Sequence, residues 1–450
     1  MKPAIYHATD LHLTWGPTAP GGSTIVRLVH DPEFHTRLCG EALVGHFAER
    51  LRRGDRDWHL VITGDITDCG SREEMELARQ LLRPIWDPRL LTVVPGNHDQ
   101  ACNALAVFGR VFCKQHVPKT YALRTKLFRQ CFGELMQSTG EFQDYELPFA
   151  KVLSRAGVVL VGVDSTQDDV RQRGEIGPEQ LENLNEILSK LKYNPRFRNH
   201  AVLLALHHAR EAEPETLGIE DDDELSSVID GRVHAVLYGH AHAPDVDRGG
   251  THNLVDANPG SIGLAEDSDP TGKEGVVQVF EYAMEAGQPA VRTVRAVEIS
   301  LGQAITARQA RFRKQYAPLF RPASPCGDCG GPVAPEMRYC PWCSQLSDFS
   351  HRHGYVCKDC NQPVMPGYSV CPWCRADFDE DGGRYDTGKR MSDECPACGS
   401  GVEPYHQYCP SCGATQEPPD DAHDDEPCTE CNWPVDRDVY LFCPWCQEVL

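Results

Sequence analysis

The chain has no apolar run approaching the roughly 18 residues that a membrane helix needs. Its start lacks the pattern of a secretory leader: Met1-Lys2-Pro3 runs straight into the apolar stretch Ile5–Ala8, which leads to the first polar motif. These two absences leave a cytoplasmic protein as the expectation. Positive charge is scarce, with 44 Lys and Arg against 66 Asp and Glu, a net charge of −22. The deficit is uneven: residues 322–450 hold 8 basic against 22 acidic side chains, and residues 1–321 hold 36 against 44. An anionic tail repels phosphate backbones, so nucleic acid is disfavoured as its partner and a protein is favoured. At 450 residues the chain is too long for one ordinary core.

Cysteine, in contrast, is plentiful, at 21 residues. In a reducing compartment such numbers point to metal ligands rather than disulfides. Sixteen form Cys-x-x-Cys pairs in four successive units: Cys326, Cys329, Cys340 and Cys343; Cys357, Cys360, Cys371 and Cys374; Cys395, Cys398, Cys409 and Cys412; Cys428, Cys431, Cys443 and Cys446. A valine recurs at one place in each unit (Val333, Val364, Val402, Val435), and a proline follows each third cysteine. A unit of about 20 residues cannot bury enough apolar surface to fold alone, and a structural metal is the usual remedy. The units resemble bacterial double zinc ribbons, which implies four structural zinc ions. Rubredoxin-type iron would place its knuckles further apart. With four thiolates per ion no open position remains for catalysis. Trp342, Trp373 and Trp445 inside the knuckles are expected to fill small cores, with partner anchoring as the lesser reading. The remaining cysteines (Cys39, Cys69, Cys102, Cys113, Cys131) read as small buried side chains.

The first 300 residues alternate strand-like and helix-like runs. Ile5–Thr9, His59–Thr63, Leu90–Val94, Val158–Val163, Ala201–Leu206, Val233–Tyr238, Val276–Tyr282 and Val291–Val297 read as strands. Over Pro178–Leu191, Leu181, Leu184, Leu188 and Leu191 share one helical face, with proline at the first position. Two stretches, Thr14–His35 and Ala101–Glu146, look inserted next to polar motifs, where they either border the substrate pocket or form surface loops and helices with no role. Ser300–Ala317 reads as an exposed spacer helix. The domain reading is a catalytic unit over 1–299, a helical linker over 300–322, ribbons one and two over 323–375, an acidic linker over 376–392, and ribbons three and four over 393–450.

Five short words mark the ends of these strands: Asp10-Leu-His12, Gly64-Asp65, Gly96-Asn97-His98-Asp99, His207-His208 and Gly239-His240-Ala-His242. Seven donors stand out: Asp10, His12, Asp65, Asn97, His207, His240 and His242. Mixed nitrogen and oxygen donors without cysteine suit manganese, iron or zinc, and Asp65 carries two oxygens able to bridge a pair of ions. The glycines before Asp65, Asn97 and His240 permit tight turns where backbone crowds the site.

In order and spelling these words resemble the calcineurin-like metallophosphoesterases, in the branch with bacterial class III cyclic nucleotide phosphodiesterases. Thr9-Asp10-Leu11-His12-Leu13, Gly64-Asp65-Ile66-Thr67-Asp68, Pro95-Gly96-Asn97-His98-Asp99 and the helix-leading Gln180-Leu181 carry the likeness, over about residues 1–300. The resemblance implies an α/β fold, a four-layer α/β/β/α sandwich, followed here by the four ribbon units. It implies one ion on Asp10, His12, Asp65 and His242, and a second on Asp65, Asn97, His207 and His240. It further implies in-line attack on phosphorus by a metal-bridging hydroxide, with His98 beside the leaving oxygen and Asp68 orienting His98. His208 is expected to pack or hydrogen-bond, and Asp99 to accept hydrogen bonds near the ions. Prolines usually follow the paired histidines in this branch; here Ala209-Arg210 follow, and Arg210 either touches phosphate or faces solvent. The implied protein is a phosphoric ester hydrolase of the phosphodiesterase kind with a protein-binding tail. The alternatives are a phosphomonoesterase or protein phosphatase, a nuclease, or a non-catalytic scaffold whose ribbons bind a partner.

Overall fold

A computed structural model of the chain describes residues 3–13, 36–68, 70–100, 121–144, 146–166, 173–210, 218–249, 254–262, 276–285 and 287–315. In the tail it describes 324–333, 337, 339–343, 345, 370, 393–399, 401–402, 409, 412, 414, 426–427, 434–435, 439–440 and 443. The chain divides into two compact units, with the break at Leu301 and Gly302.

In chain order the first unit begins β1 (Ala4–Ala8), α1 (Thr36–Arg52), β2 (Trp58–Thr63), α2 (Arg72–Leu82), β3 (Leu91–Val94), α3 (Asn97–Gln100) and α4 (Tyr121–Phe132). It continues β4 (Phe149–Leu153), β5 (Val158–Gly162), α5 (Pro178–Tyr193), β6 (Ala201–Ala205), α6 (Asp222–Ile229) and β7 (Ala235–Leu237), then β8 (Asp245–Gly249), β9 (Leu254–Asn258), β10 (Val276–Met284) and β11 (Val291–Ser300). One sheet has the order β11-β10-β1-β2-β3 and the other β4-β5-β6-β7-β9-β8. Their central strands are parallel, while β10, β11, β4 and β8 pair antiparallel at the flanks.

Strands β2, β5 and β6 are buried along their whole length, so both faces of each sheet are covered, as parallel sheets require. Val159, Val161, Val202 and Leu204 share a core with Leu184, Ile187 and Leu188 of α5 and Leu225 and Ile229 of α6. The alternating Val158, Leu160 and Leu203 are equally buried on the opposite face. Each such side chain contributes about 1.5–3 kcal/mol. Helix α5 opens with Pro178 and buries the leucine stripe read from its spacing, with Ile187 added. On the other sheet, Phe47 of α1 meets Tyr6 at 5.2 Å and Trp58 at 4.7 Å between ring centroids. The architecture is an α/β fold of two sheets and helices.

Two sequence expectations change. Ala101–Glu146 is not merely an inserted surface stretch. Its residues 101–120 and 145 lie outside the described residues, but α4 and the turns after it bury Leu127, Phe128, Phe132, Leu135 and Phe142, and these aromatic and aliphatic side chains belong to the core. The helix read over Ser300–Ala317 is not exposed on every face where it is described. The helix α7 (Gly302–Gln315) buries Ala304, Ile305 and Arg308, and Arg308 Nη1 donates to the Tyr440 carbonyl at 3.1 Å. A stripe at positions i, i+1 and i+4 thus turns inward, which the polar composition of the helix concealed. Thr14–His35, read as the other insertion, lies outside the described residues.

The tail is built from two-residue strand pairs: β12 (Ser324–Pro325) with β13 (Pro332–Val333), β14 (Asp393–Glu394) with β15 (Gly401–Val402), and β16 (Glu426–Pro427) with β17 (Pro434–Val435). The repeated valine occupies the same register in each pair, opposite Ser324, Asp393 and Glu426. Trp342 is fully buried, and its Nε1 donates to the Pro332 carbonyl at 2.7 Å; it serves the core of the first ribbon. The second quartet of cysteines, together with Cys428, Cys431, Cys446, Trp373 and Trp445, lies outside the described residues.

Candidate active site

The strand ends bring the seven predicted donors together. Asp10 and His12 follow β1, Asp65 follows β2, Asn97 opens α3 after β3, His207 follows β6, and His240 and His242 follow β7. Asp10, His12, Asp65, His240 and His242 all have positive φ, between 45° and 67°, and among the described residues no other non-glycine residue does. That conformation is uncommon outside glycine and costs of order 1 kcal/mol or more per residue. Backbone strain is therefore concentrated on the donors. Crowding adds to it: a Cβ on Gly239 would lie 2.0 Å from Thr9 Oγ1 and 2.5 Å from Asp10 Oδ2.

The donor atoms form two adjoining groups. In the first, His12 Nε2 and His242 Nε2 stand 3.0 Å apart, and they lie 3.6 and 3.3 Å from Asp10 Oδ1. In the second, His207 Nε2 lies 2.8 Å from Asn97 Oδ1 and 3.2 Å from Asp65 Oδ2. Asp65 Oδ2 is also 3.9 Å from His12 Nε2, so this carboxylate faces both groups. His208 and His240 complete a buried histidine cluster with His207.

Hydrogen bonds decide what these atoms offer. His207 Nδ1 donates to the Thr63 carbonyl at 2.8 Å, because a carbonyl only accepts. A neutral His207 ring then presents a bare Nε2 to two oxygens. Asp65 Oδ2 and His240 Nε2 are buried without a hydrogen-bond partner. Lone pairs facing one another need a positive charge between them, a proton or a metal ion. Donors around one cation at about 2.1 Å stand roughly 3–3.5 Å apart, which matches these spacings. The residues therefore fit metal binding, with their donor atoms in two adjoining groups.

The electrostatics agree. Burial alone would raise Asp10, but His12 and His242, with His207 nearby, hold its carboxyl well below the ordinary carboxylate range. Burial is likewise outweighed at Asp65, which His207, His98 and His12 keep ionised. For His207, burial opposes protonation, yet Asp65 and Asp10 raise it to about 9. His240, in contrast, is pushed down to about 3 by burial and by neighbouring His207. The pocket thus keeps two carboxylates charged and attracts cations.

His98 Nδ1 donates to the main-chain carbonyl of Asp68 at 2.5 Å, and the Asp68 carboxylate lies 3.8 Å from both His98 Nδ1 and His12 Nδ1. The His98 backbone N–H donates to Asp65 Oδ1 at 2.8 Å. Asp99 is buried and accepts from the N–H groups of Ile66, Thr67 and Gly96 and from the Thr67 hydroxyl; burial and Asp65 raise its pKa to about 6. His208 Nδ1 is 3.0 Å from Ser165 Oγ, and its ring lies 4.6 Å from that of His240. Arg210 is engaged by Asp222 and Asp256 at 3.1 Å each, and by Ser226. It is a buttress among α6 and β9 rather than a solvent-facing or phosphate-reaching side chain.

Sequence reasoning missed the groups that hold the donors. Thr9 Oγ1 donates to Asp10 Oδ2 at 2.6 Å. Gln100 Nε2 donates to buried Asp164 at 3.2 Å, tying α3 to the end of β5. The loop Asn258–Ile262 lies beside Asp10 and His242. Its one visible signal was position: Asn258-Pro-Gly-Ser follows an apolar run, as the five words do.

In the tail, Cys326 and Cys343 Sγ are 3.8 Å apart and Cys329 and Cys340 Sγ 3.6 Å. The third unit repeats this, with 3.8 Å for Cys395 and Cys412 and 3.7 Å for Cys398 and Cys409. A disulfide would bring sulfurs to about 2.05 Å, whereas a tetrahedron of bonds of about 2.3 Å to zinc has edges of about 3.8 Å. Both quartets fit zinc.

A two-sheet α/β fold with mixed histidine, asparagine and carboxylate donors at its strand ends defines a metallophosphoesterase-type protein. The chain belongs to the calcineurin-like phosphoesterase family, whose model matches residues 3–244. A double zinc ribbon model matches residues 357–413, which takes in the second and third cysteine units. Over 189 residues the chain is 26% identical to a "Probable cyclic nucleotide phosphodiesterase" of Vesicomyosocius okutanii, covering 41% of this chain and 61% of that protein. Over 44 residues it is 50% identical to the glycerophosphodiester phosphodiesterase GpdQ of Enterobacter lignolyticus, covering 10% of this chain and 15% of that protein. The chain thus spans less than two thirds of the length of these curated relatives. Among solved structures it is similar to the calcineurin-like phosphoesterase YfkN of Bacillus subtilis, with 12% identity, a TM-score of 0.32, and 69% of this chain and 96% of that one covered. No helix among the described residues is long and apolar enough to cross a membrane.

Proposed function

We propose that the first unit is a dinuclear metal-dependent phosphoric ester hydrolase that cleaves phosphodiesters, with cyclic nucleotides as the first candidate substrates. The observation that supports this most is the arrangement around Asp65, where ring nitrogens from both donor groups face one carboxylate oxygen. Two relatives named as phosphodiesterases support the diester class. In this reading Asp10, His12, Asp65 and His242 hold one ion, and Asp65, Asn97, His207 and His240 hold the other. Manganese, iron and zinc all suit that set. When bound, the pair supplies Lewis-acid activation of the phosphoryl group and compensates its charge.

The chain's own residues do the rest. His98 keeps one proton on Nδ1, held by the Asp68 carbonyl, and exchanges the other at Nε2 with the leaving oxygen. Because the His98 N–H is anchored on Asp65 Oδ1, the acid and the shared carboxylate keep a fixed relation. Asp68 acts as a positioning residue, chiefly through its main-chain oxygen. Residues 1–299 form the catalytic domain in this proposal. The helix of the 300–322 segment docks with the ribbons of 323–375 and 393–450, which bind a protein partner in the cytoplasm.

Full-length protein loaded with manganese is assayed on bis(p-nitrophenyl) phosphate, p-nitrophenyl phosphate and cyclic AMP. The diesters turn over, Asp65→Asn is inert, and His98→Asn loses about 10²–10⁴-fold in kcat with its manganese content intact. Equal inertness of wild type and Asp65→Asn refutes the hydrolase reading; a strong preference for the monoester refutes the diester assignment.

A further inference from the structure

The five words supply donors but not what holds the donor backbones in their positive-φ turns. Such conformations persist only where the surroundings over-determine them. The Asp10 turn is held from one side by the residues that follow β2, with the Asp10 and His12 N–H groups donating to the Gly64 and Asp65 carbonyls at 3.1 and 2.9 Å. From the other side, the turns carrying Asp10 and His242 share one short stretch that starts at the end of β9. The Ser261 hydroxyl donates to the Asp10 carbonyl at 2.8 Å, and the Ser261 N–H donates to the His242 carbonyl at 3.3 Å. The Ile262 N–H donates to the Thr9 carbonyl at 3.0 Å. Asn258 is fully buried. Its Nδ2 donates to the Gly239 carbonyl at 3.2 Å, and its Oδ1 accepts from the Gly260 N–H at 2.9 Å. Gln278 of β10 fastens the stretch from behind, donating to the Pro259 carbonyl at 3.1 Å. Gly260 has φ +84°, and a Cβ there would lie 3.2 Å from Pro244 Cδ and 3.4 Å from the His242 carbonyl. The segment is thus fitted tightly against the second histidine loop.

We propose that Ser261 is a positioning residue selective for the ion held by Asp10, His12, Asp65 and His242, with Asn258 and Gly260 shaping the turn that presents it. Ser261 lies outside residues 3–244, which the family model matches, and it reaches Asp10 from 251 residues away in sequence. Asp10 and His242 come from loops that follow different strands, in different sheets. The Ser261 hydroxyl touches the first loop while its own N–H touches the second. Removing that hydroxyl leaves the Asp10 carbonyl without its bond to the His242 side, so the Asp10 turn, still tied to Gly64 and Asp65, loses its fixed relation to His242 Nε2. The other donor group is held through Thr63, Asp65 and Asn97; the stretch reaches it through Asn258 on the Gly239 carbonyl beside His240, while Ser261 itself makes no hydrogen bond to that group among those described.

This assignment rests on the dinuclear reading above, and the test separates the two. Manganese binding to full-length protein is followed by titration calorimetry and by electron paramagnetic resonance, which distinguishes a coupled pair of ions from a single one. Ser261→Ala should weaken one manganese site by about 10–100-fold, leave the other within about threefold, and lose the coupled spectrum. Its single-ion spectrum should match His242→Ala and not Asn97→Ala, while Ser261→Thr restores the pair. The metal-free Tm should stay within about 3 °C of wild type. Equal weakening of both sites with a lowered metal-free Tm would mean general destabilisation and overturns the assignment. So does a Ser261→Ala protein that loads two ions as wild type does. A wild type that takes up no pair of ions overturns the dinuclear reading, and the assignment with it.

Discussion

Replacing Gly96 with alanine places a methyl group against the shared carboxylate. The new Cβ would lie 2.2 Å from both the backbone nitrogen and Oδ1 of Asp65, and 2.9 Å from its Cγ. Ordinary carbon contacts begin near 3.5 Å, so the Gly96 and Asp65 turns must part by about 1 Å. One contact is backbone, and the other, Oδ1, is held in place by the His98 N–H at 2.8 Å, so neither swings aside freely. The separation also strains the Asp99 carboxylate, which accepts from the Gly96 N–H at 3.0 Å and the Thr67 N–H at 2.9 Å. Overpacking of this kind costs about 1–3 kcal/mol. Because Asp65 faces both donor groups, both manganese affinities should fall, by about 10–100-fold. Gly45 in α1 is the control, since nothing lies within 4 Å of a Cβ there, and alanine should gain up to about 1 kcal/mol of helix stability. Urea unfolding in chelator reads the first effect and manganese titration the second. A Gly96→Ala protein with wild-type unfolding midpoint and two wild-type manganese affinities refutes the crowding argument.

Mercurial titration of the thiols should release about four zinc ions per chain, one per cysteine quartet; iron colour, or no metal, contradicts the ribbon assignment. Arg210→Met should destabilise the first unit by about 3 kcal/mol, because Asp222 and Asp256 lose their partner, while KM for the diester stays within about threefold; a large rise in KM would place Arg210 on substrate instead. Lys151 Nζ donates to the carbonyls of Pro88, Leu91 and Leu135, and burial pushes its ammonium down to about 7. An unfolded lysine titrates near 10.4, so between about pH 7 and 10 the folded state binds fewer protons than the unfolded one and stability rises with pH. The slope reaches at most about 1.4 kcal/mol per pH unit. The stability difference between wild type and Lys151→Met should therefore grow from pH 7 to 9 in urea titrations, and a flat difference refutes the depressed value.

Several elements were legible because their signals are local. The leucine stripe of α5 and the apolar runs of β1, β2, β5 and β6 appear where the sequence places them. Glycines before Asp65, Asn97 and His240 announced tight turns, and Gly96 and Gly239 do meet their neighbours closely. The inward stripe of α7 was hidden because Arg308, a charged residue, is buried by donating to a carbonyl 132 residues away. Local polarity could not forecast that partner. The core role of Phe128 and Phe132 was hidden for a related reason: a long stretch between motifs gives no hint of which sheet it covers.

By itself the sequence determined the strands, the identity of the donor side chains and the cysteine spacing, since periodicity and side-chain chemistry act over a few residues. Tertiary structure alone decided which atoms face one another. It put the Thr63 carbonyl on His207 Nδ1, turned the Asp68 main chain rather than its carboxylate onto the His98 ring, and brought Ser261 under Asp10. Hydrogen bonds of that kind join groups from separate strands and sheets, and their partners are fixed only when the sheets pack.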